Sequence, residues 1–76
     1  MEFDKEVDAR GLSCPLPVLR LKKALAEMSG GQVVRALTTD PASVKDFEAF
    51  TRQTGHELLH QEEMPDNTFE FFVRRK

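Results

Sequence analysis

Two stretches of this chain repeat their apolar residues at helical spacing, and each is flanked by stretches that read as strands. That pattern leaves a polypeptide of 76 residues few architectures. From Pro15 to Ser29, Val18, Leu21, Leu25 and Met28 recur at steps of three and four and leave Arg20, Lys22, Lys23 and Glu27 mostly outward. After Asp40-Pro41, a second helical pattern carries Val44, Phe47 and Phe50 on one face, with Gly55 as its C-cap. Phe3 to Ala9 alternates, setting Phe3, Val7 and Ala9 against Asp4, Glu6 and Asp8, although Lys5 interrupts the apolar side. Gly30 and Gly31 end the first helix, and Gln32 to Thr38 is rich in β-formers. His56 to Glu63 and Thr68 to Arg74, joined through Pro65-Asp66-Asn67, read as a closing hairpin in which Phe69, Phe71 and Val73 alternate with Glu70 and Arg74.

The order is therefore β-α-β-α-β-β. Two helices with one apolar face each predict a two-layer α/β sandwich, in which a four-stranded mixed sheet carries both helices on the face to which right-handed crossovers deliver them. One domain spans residues 1–76. A domain of this size buries only about 60% of the surface its unfolded chain exposes, so its stability should be modest. The other sheet face is more open, which leaves Phe72 either as an exposed aromatic or dimer contact, or covered by the ends of the chain.

The one cysteine, Cys14, stands in Gly11-Leu12-Ser13-Cys14-Pro15-Leu16-Pro17, directly before the first helical pattern. A helix start presents unpaired N–H groups and the positive end of the helix dipole, both of which favour an anion. With Cys14 as N-cap, Pro15 takes the first helical position and Pro17 the third. The N–H groups of Leu16 and Val18 are then the nearest ones free to face sulfur. Leu16 precedes a proline and is biased away from helical angles, which predicts an irregular first turn. Free cysteines are commonly small buried apolar residues. This one lies between a glycine loop and a helix start, which predicts instead an exposed thiol with a lowered pKa, suited to nucleophilic sulfur chemistry.

A lone cysteine forms no internal disulfide, and no signal-like apolar N-terminus precedes the domain; both point to a reducing cytoplasm. No stretch approaches the roughly 20 apolar residues that span a membrane. A net charge of −2 argues against strong direct nucleic-acid binding, and the basic tail Arg74-Arg75-Lys76 adds little to that balance. His56 and His60 lie four apart on one strand pattern and could frame a metal site with Cys14, but capping or packing accounts for His56 as well. The expectation is no metal and no cofactor.

The signature Gly11-Leu12-x-Cys14-Pro15-x-Pro17, the basic amphipathic helix behind it, then Thr39-Asp40-Pro41-Ala42 and Gly55-His56-Glu57-Leu58, resemble the TusA/SirA family of small sulfur carriers from about Val7 to Arg74. The resemblance implies a two-layer sandwich whose Cys14 carries sulfane sulfur as a persulfide. It also implies a cysteine desulfurase or other persulfide donor and a downstream sulfur-relay protein as partners, in tRNA thiolation, sulfur oxidation or cofactor assembly. The residues suit that chemistry in their own right, since the relay is a form of thiol exchange and no resolving cysteine is present to discharge the sulfur internally. Arg20, Lys22 and Lys23 would steer acidic partners, or form an ordinary solvated helix face. The resemblance adds weight to Lys22 and to Asp40, although Asp40 also suits a turn or cap. Ser13 and Leu16 stand where tRNA-thiolation members commonly carry charged residues, which leaves donor and acceptor open. The competing readings are a non-catalytic protein- or RNA-binding module in which the Cys-Pro-x-Pro turn is structural, and a redox or selenium-delivery variant of the same fold.

Overall fold

Six elements follow one another in a computed structural model that describes residues 1–76: β1 (Lys5–Ala9), α1 (Leu16–Ala26), β2 (Val33–Thr38), α2 (Ala42–Thr54), β3 (Glu57–Glu63) and β4 (Phe69–Arg74). The strands form one mixed sheet in the order β1-β2-β4-β3. β1 runs parallel to β2 with Lys5 opposite Val34, while β4 pairs antiparallel with both β2 and β3. The expected β-α-β-α-β-β sandwich is thus the observed one, and both helices cover one face of the sheet.

The two sequence periods explain the layers. Val7, Ala9, Val34, Ala36, Phe71 and Val73 sit at alternate strand positions and turn inward, where Leu21, Leu25 and Met28 of the first helical stripe and Phe47 of the second meet them. Phe47 is fully buried against Phe71, with ring centroids 4.3 Å apart, and joins α2 to the middle of the sheet. At the hairpin, Asn67 adopts φ 65°, a left-handed conformation that asparagine tolerates better than most residues, and the Met64 N–H donates to the Thr68 carbonyl at 2.7 Å. Gly55 ends α2 at φ 86°, and its N–H donates to the Thr51 carbonyl at 2.9 Å.

Several elements are shorter than their patterns. α1 stops at Ala26, and Met28 stays buried in the turn that follows. β1 begins at Lys5, because the Asp4 N–H donates to the Val33 carbonyl at 2.7 Å and the chain bends there. That bend corrects the expected partnership of Phe3 with Val7 and Ala9. Phe3 instead lies on the opposite sheet face, 6.2 Å from the Phe72 ring. Phe72 is consequently buried, covered by the N-terminal segment and by His60 of β3. On the same face Arg35 ties three strands together by donating to Glu6 of β1 and Glu70 of β4, both at 2.7 Å. Lys5, the misfit of the β1 pattern, is half-buried and pairs with Glu27 beyond α1 at 2.6 Å.

Candidate functional site

Cys14 is exposed, as its sequence position predicts. Two interactions with the loop before α2 hold its own loop in place. The Gly11 N–H donates to Thr39 Oγ1 at 2.8 Å, and the Cys14 N–H donates to Asp40 Oδ2 at 2.7 Å. Gly11 makes this turn at φ 80°, a conformation that a side chain would strain. Asp40 is anchored in turn. Its Oδ1 accepts the Ala42 N–H at 3.0 Å, and its carbonyl accepts both the Ser43 N–H at 2.9 Å and Ser43 Oγ at 2.7 Å. Ser43 Oγ lies 2.6 Å from Thr38 Oγ1 in a buried pair, so the network continues to the end of β2. Asp40, just before the Pro41 N-cap, therefore closes the turn into α2 by accepting the Ala42 N–H and also clamps the Cys14 loop.

The helix start differs from the sequence expectation by one residue. Pro15, joined to Cys14 by a cis peptide bond, is the N-cap of α1, so Cys14 stands just outside the helix and Leu16 and Pro17 take its first two positions. The Leu16 N–H is not free to face sulfur, because it donates to the Ser13 carbonyl at 2.9 Å. Pro17 is buried and acts as a packing residue, whereas Pro15 stays exposed beside the thiol.

The lowered thiol pKa is also overturned. The Cys14 thiol is pushed above the ordinary cysteine value, first by the neighbouring Asp46 carboxylate, then by desolvation, and then by the negative charges of Asp46 and Asp40. The physical reason is that two prolines and a committed Leu16 N–H leave little of the helix end to stabilise an anion, while α2 brings Asp46, and the loop before it Asp40, to the same place. Cys14, Pro15 and Val18 share with Asp46, Ala49 and Phe50 a shallow depression of about 260 Å³ at the α1–α2 seam. Asp46 is the carboxylate beside Cys14 that reading the sequence missed. Its signal was the three- and four-residue spacing of Asp46, Ala49, Phe50 and Gln53, which puts them on one helix face.

The three basic residues of α1 divide between two sides of the helix. Lys22 lines a second depression at the α1–α2 seam with Phe50, His56 and Arg75. Arg20 and Lys23 lie over the β1 side with Lys5 and Glu27. The histidines separate as well. His56 Nδ1 accepts the Lys76 N–H at 3.1 Å, and its ring stacks on Phe50. Burial and the nearby Lys76 and Arg75 charges make His56 less basic than usual. His60 lies on the open sheet face against Phe72, so the two histidines and Cys14 do not converge. The residues that approach metal-ligand geometry are His60, Glu62 and Glu70, whose donor atoms lie within 4.8 Å of one another; Arg35 already claims Glu70 Oε2.

The family described as Sulfurtransferase TusA matches residues 5–75. The chain belongs to the TusA family. It is 53% identical over 74 residues to the sulfur carrier protein TusA of Allochromatium vinosum, covering 97% of this chain and 96% of that one. A putative sulfur carrier protein of Neisseria meningitidis is likewise 53% identical, over 70 residues and 93% of its length. The crystal structure of a SirA-like protein from Desulfitobacterium hafniense superposes with a TM-score of 0.84 at 30% identity, covering 93% of this chain and 96% of that chain. The TusA and SirA likeness read from the Cys-Pro-x-Pro signature therefore holds for both sequence and fold. No helix of this TusA-family chain is long and apolar enough to cross a membrane.

Proposed function

We propose that this protein is a sulfur carrier that accepts sulfane sulfur on Cys14 from a persulfide donor, such as a cysteine desulfurase, and passes it to a downstream relay protein. The observation that carries this reading is the placement of Cys14. The chain's one thiol is exposed at the mouth of a depression, on a loop whose backbone is clamped by Asp40.

In the accepting step the Cys14 thiolate attacks the outer sulfur of the donor persulfide. A new S–S bond forms at Cys14, the donor's S–S bond breaks, and the donor departs as a thiolate. In the second step a partner thiolate attacks the same outer sulfur and Cys14 leaves with the electron pair, taking a proton from solvent. The sulfane sulfur moves without net oxidation, so neither metal nor cofactor is needed. Because the Asp46 carboxylate beside it raises the thiol pKa, the accepting step should accelerate with rising pH. A negatively charged persulfide would face the same two carboxylates, which favours handing the sulfur on over storing it.

Partner approach would use the positive potential that Arg20, Lys22 and Lys23 give α1. Leu16 and Leu19, both exposed on the first turns of α1, add apolar contact area beside the sulfur. Tyrosine and tryptophan are absent from the chain, so leucine and proline supply that contact.

The test is to incubate the reduced protein with a cysteine desulfurase and free cysteine and to record its intact mass. One added sulfur, removed by reductant and absent from Cys14→Ser, is the expected result. Failure to load with several desulfurases and with inorganic polysulfide would sink the proposal in favour of a binding module that uses the Cys-Pro-x-Pro turn structurally.

A further inference from the structure

The depression in which Cys14 stands has one charged side chain in its lining, and that side chain is an acid. Asp46 is set there among Val18, Ala49 and Phe50, with Gln53 as a neutral polar neighbour. No lysine or arginine lines it: Lys22 belongs to a separate depression toward the end of α1, and Arg20 and Lys23 to one over β1. Backbone donors beside the sulfur are committed or missing. The Cys14 N–H donates to Asp40 Oδ2 at 2.7 Å, the Leu16 N–H donates to the Ser13 carbonyl at 2.9 Å, and Pro15 and Pro17 have no N–H to offer. A small anion that reaches the thiol therefore meets carboxylates, and none of these groups is free to pair with it.

Free sulfane-sulfur donors such as inorganic polysulfide and thiosulfate are anions of this kind. A partner protein differs, because it brings its persulfide on a surface large enough to reach the basic residues of α1 outside the depression. We propose that Asp46, together with Asp40, sets donor specificity: it slows the reaction of Cys14 with small anionic sulfur donors and so reserves the thiol for sulfur delivered as a protein-bound persulfide. This inference rests on the carrier reading above and adds to it the class of donor. Polysulfide loads a thiolate by the same chemistry as a protein persulfide. The thiolate attacks a terminal sulfur, the adjoining S–S bond breaks, and the shortened polysulfide leaves with the electron pair. At Cys14 each such encounter brings like charges together, and one unit charge about 6 Å away in water changes a rate roughly threefold. Asp46 acts here through its field on the approaching donor, which makes it a specificity-determining residue.

Iodoacetate and iodoacetamide test this without any partner. Both alkylate the same thiolate, forming a C–S bond as iodide leaves with the electron pair, and one is an anion while the other is neutral. The ratio of their rates therefore cancels the thiolate fraction. At low ionic strength the iodoacetate-to-iodoacetamide ratio of Cys14 should lie roughly threefold below that of the uncharged thiol N-acetylcysteine amide, and high salt should close the gap. Asp46→Asn should recover most of the difference. Asp46→Glu, which keeps the charge, and Glu63→Gln, which removes an exposed acid at the end of β3, should leave it in place. Loading from inorganic polysulfide, read by intact mass and divided by the iodoacetamide rate, should rise in Asp46→Asn by at least a similar factor. A Cys14 ratio equal to that of the free thiol, or one that moves equally in Asp46→Asn and Glu63→Gln, would overturn the assignment. Sulfur loading from a cysteine desulfurase separates the two readings. Loading without charge discrimination refutes the specificity role alone, whereas absence of loading with every desulfurase refutes carriage and the donor preference with it.

Discussion

The backbone N–H of Cys14 donates to Asp40 Oδ2 at 2.7 Å, across 26 residues of sequence. The loop that presents the sulfur and the loop that starts α2 are thereby one structure, and a single carboxylate serves both.

Asp40→Ala should therefore cost stability and site order together. Loss of the side-chain bond to the Ala42 N–H costs about 1 kcal/mol, and release of the Cys14 N–H adds to it. Asp40→Asn retains an oxygen for Ala42 but turns an amide donor toward the Cys14 N–H, so it should unfold closer to the unaltered protein while still loosening the loop. Urea denaturation reads the first effect, and amide exchange at Cys14 reads the second. An Asp40→Ala protein with an unchanged midpoint would remove Asp40 from both roles.

Asp46→Asn should lower the Cys14 pKa toward that of an ordinary cysteine. The thiol value is raised in the folded state, mainly by the neighbouring Asp46 carboxylate, so thiolate formation opposes folding. That contribution to stability is complete below the ordinary thiol pKa and is lost as pH rises through the folded value. In the variant, the pH profile of iodoacetamide alkylation should move to lower pH. The thiolate fraction at neutral pH should rise, and the alkylation rate with it. A profile identical to that of the unaltered protein would show that the carboxylate does not govern the thiol.

Phe47→Ala should be among the most damaging single substitutions, at about 3–5 kcal/mol, because the ring is fully buried between α2 and Phe71. Phe72→Ala should cost less. Phe72 lies under a cover formed by Phe3, itself 43% exposed, and by His60, which can settle into the gap. Thermal or chemical denaturation of the two variants gives the order, and a larger loss from Phe72→Ala would mean that the open face contributes more than its burial indicates.

Asp8 should titrate well below the ordinary carboxylate range. Arg10 donates to both of its carboxylate oxygens, at 2.9 Å each, and holds its pKa down to about 2. Since the folded value is depressed, whatever this pair contributes is present above the ordinary carboxylate pKa and is lost as pH falls through about 2. Carboxyl chemical shifts followed through an acid titration should show this, and Arg10→Ala should return Asp8 to the usual range.

Much of the architecture was legible because it rests on local periodicity. Leu21, Leu25 and Met28 had to share a face at helical spacing, and Phe69, Phe71 and Val73 had to share one at strand spacing, whatever else the chain did. The hairpin at Pro65-Asp66-Asn67 and the stop at Gly55 follow from residues that tolerate left-handed backbone angles. Phe3 departs from its alternation because that pattern assumes a straight strand, and the bend at Asp4 is fixed by a bond to Val33 on a different strand.

By itself, the sequence determined the order of the six elements, the faces they bury, and an exposed Cys14 before a proline-bracketed helix. Tertiary structure alone decided what surrounds that sulfur. Asp46 lies 32 positions away on α2, and only the packing of α2 beside α1 sets its carboxylate near the thiol and reverses the expected shift in acidity. The same packing placed Lys22 in the seam and left Arg20 and Lys23 outside it. Periodicity specifies which face of a helix is buried, but the rotation of one helix against another depends on how both stripes fit a shared sheet, and that information is spread over the whole core.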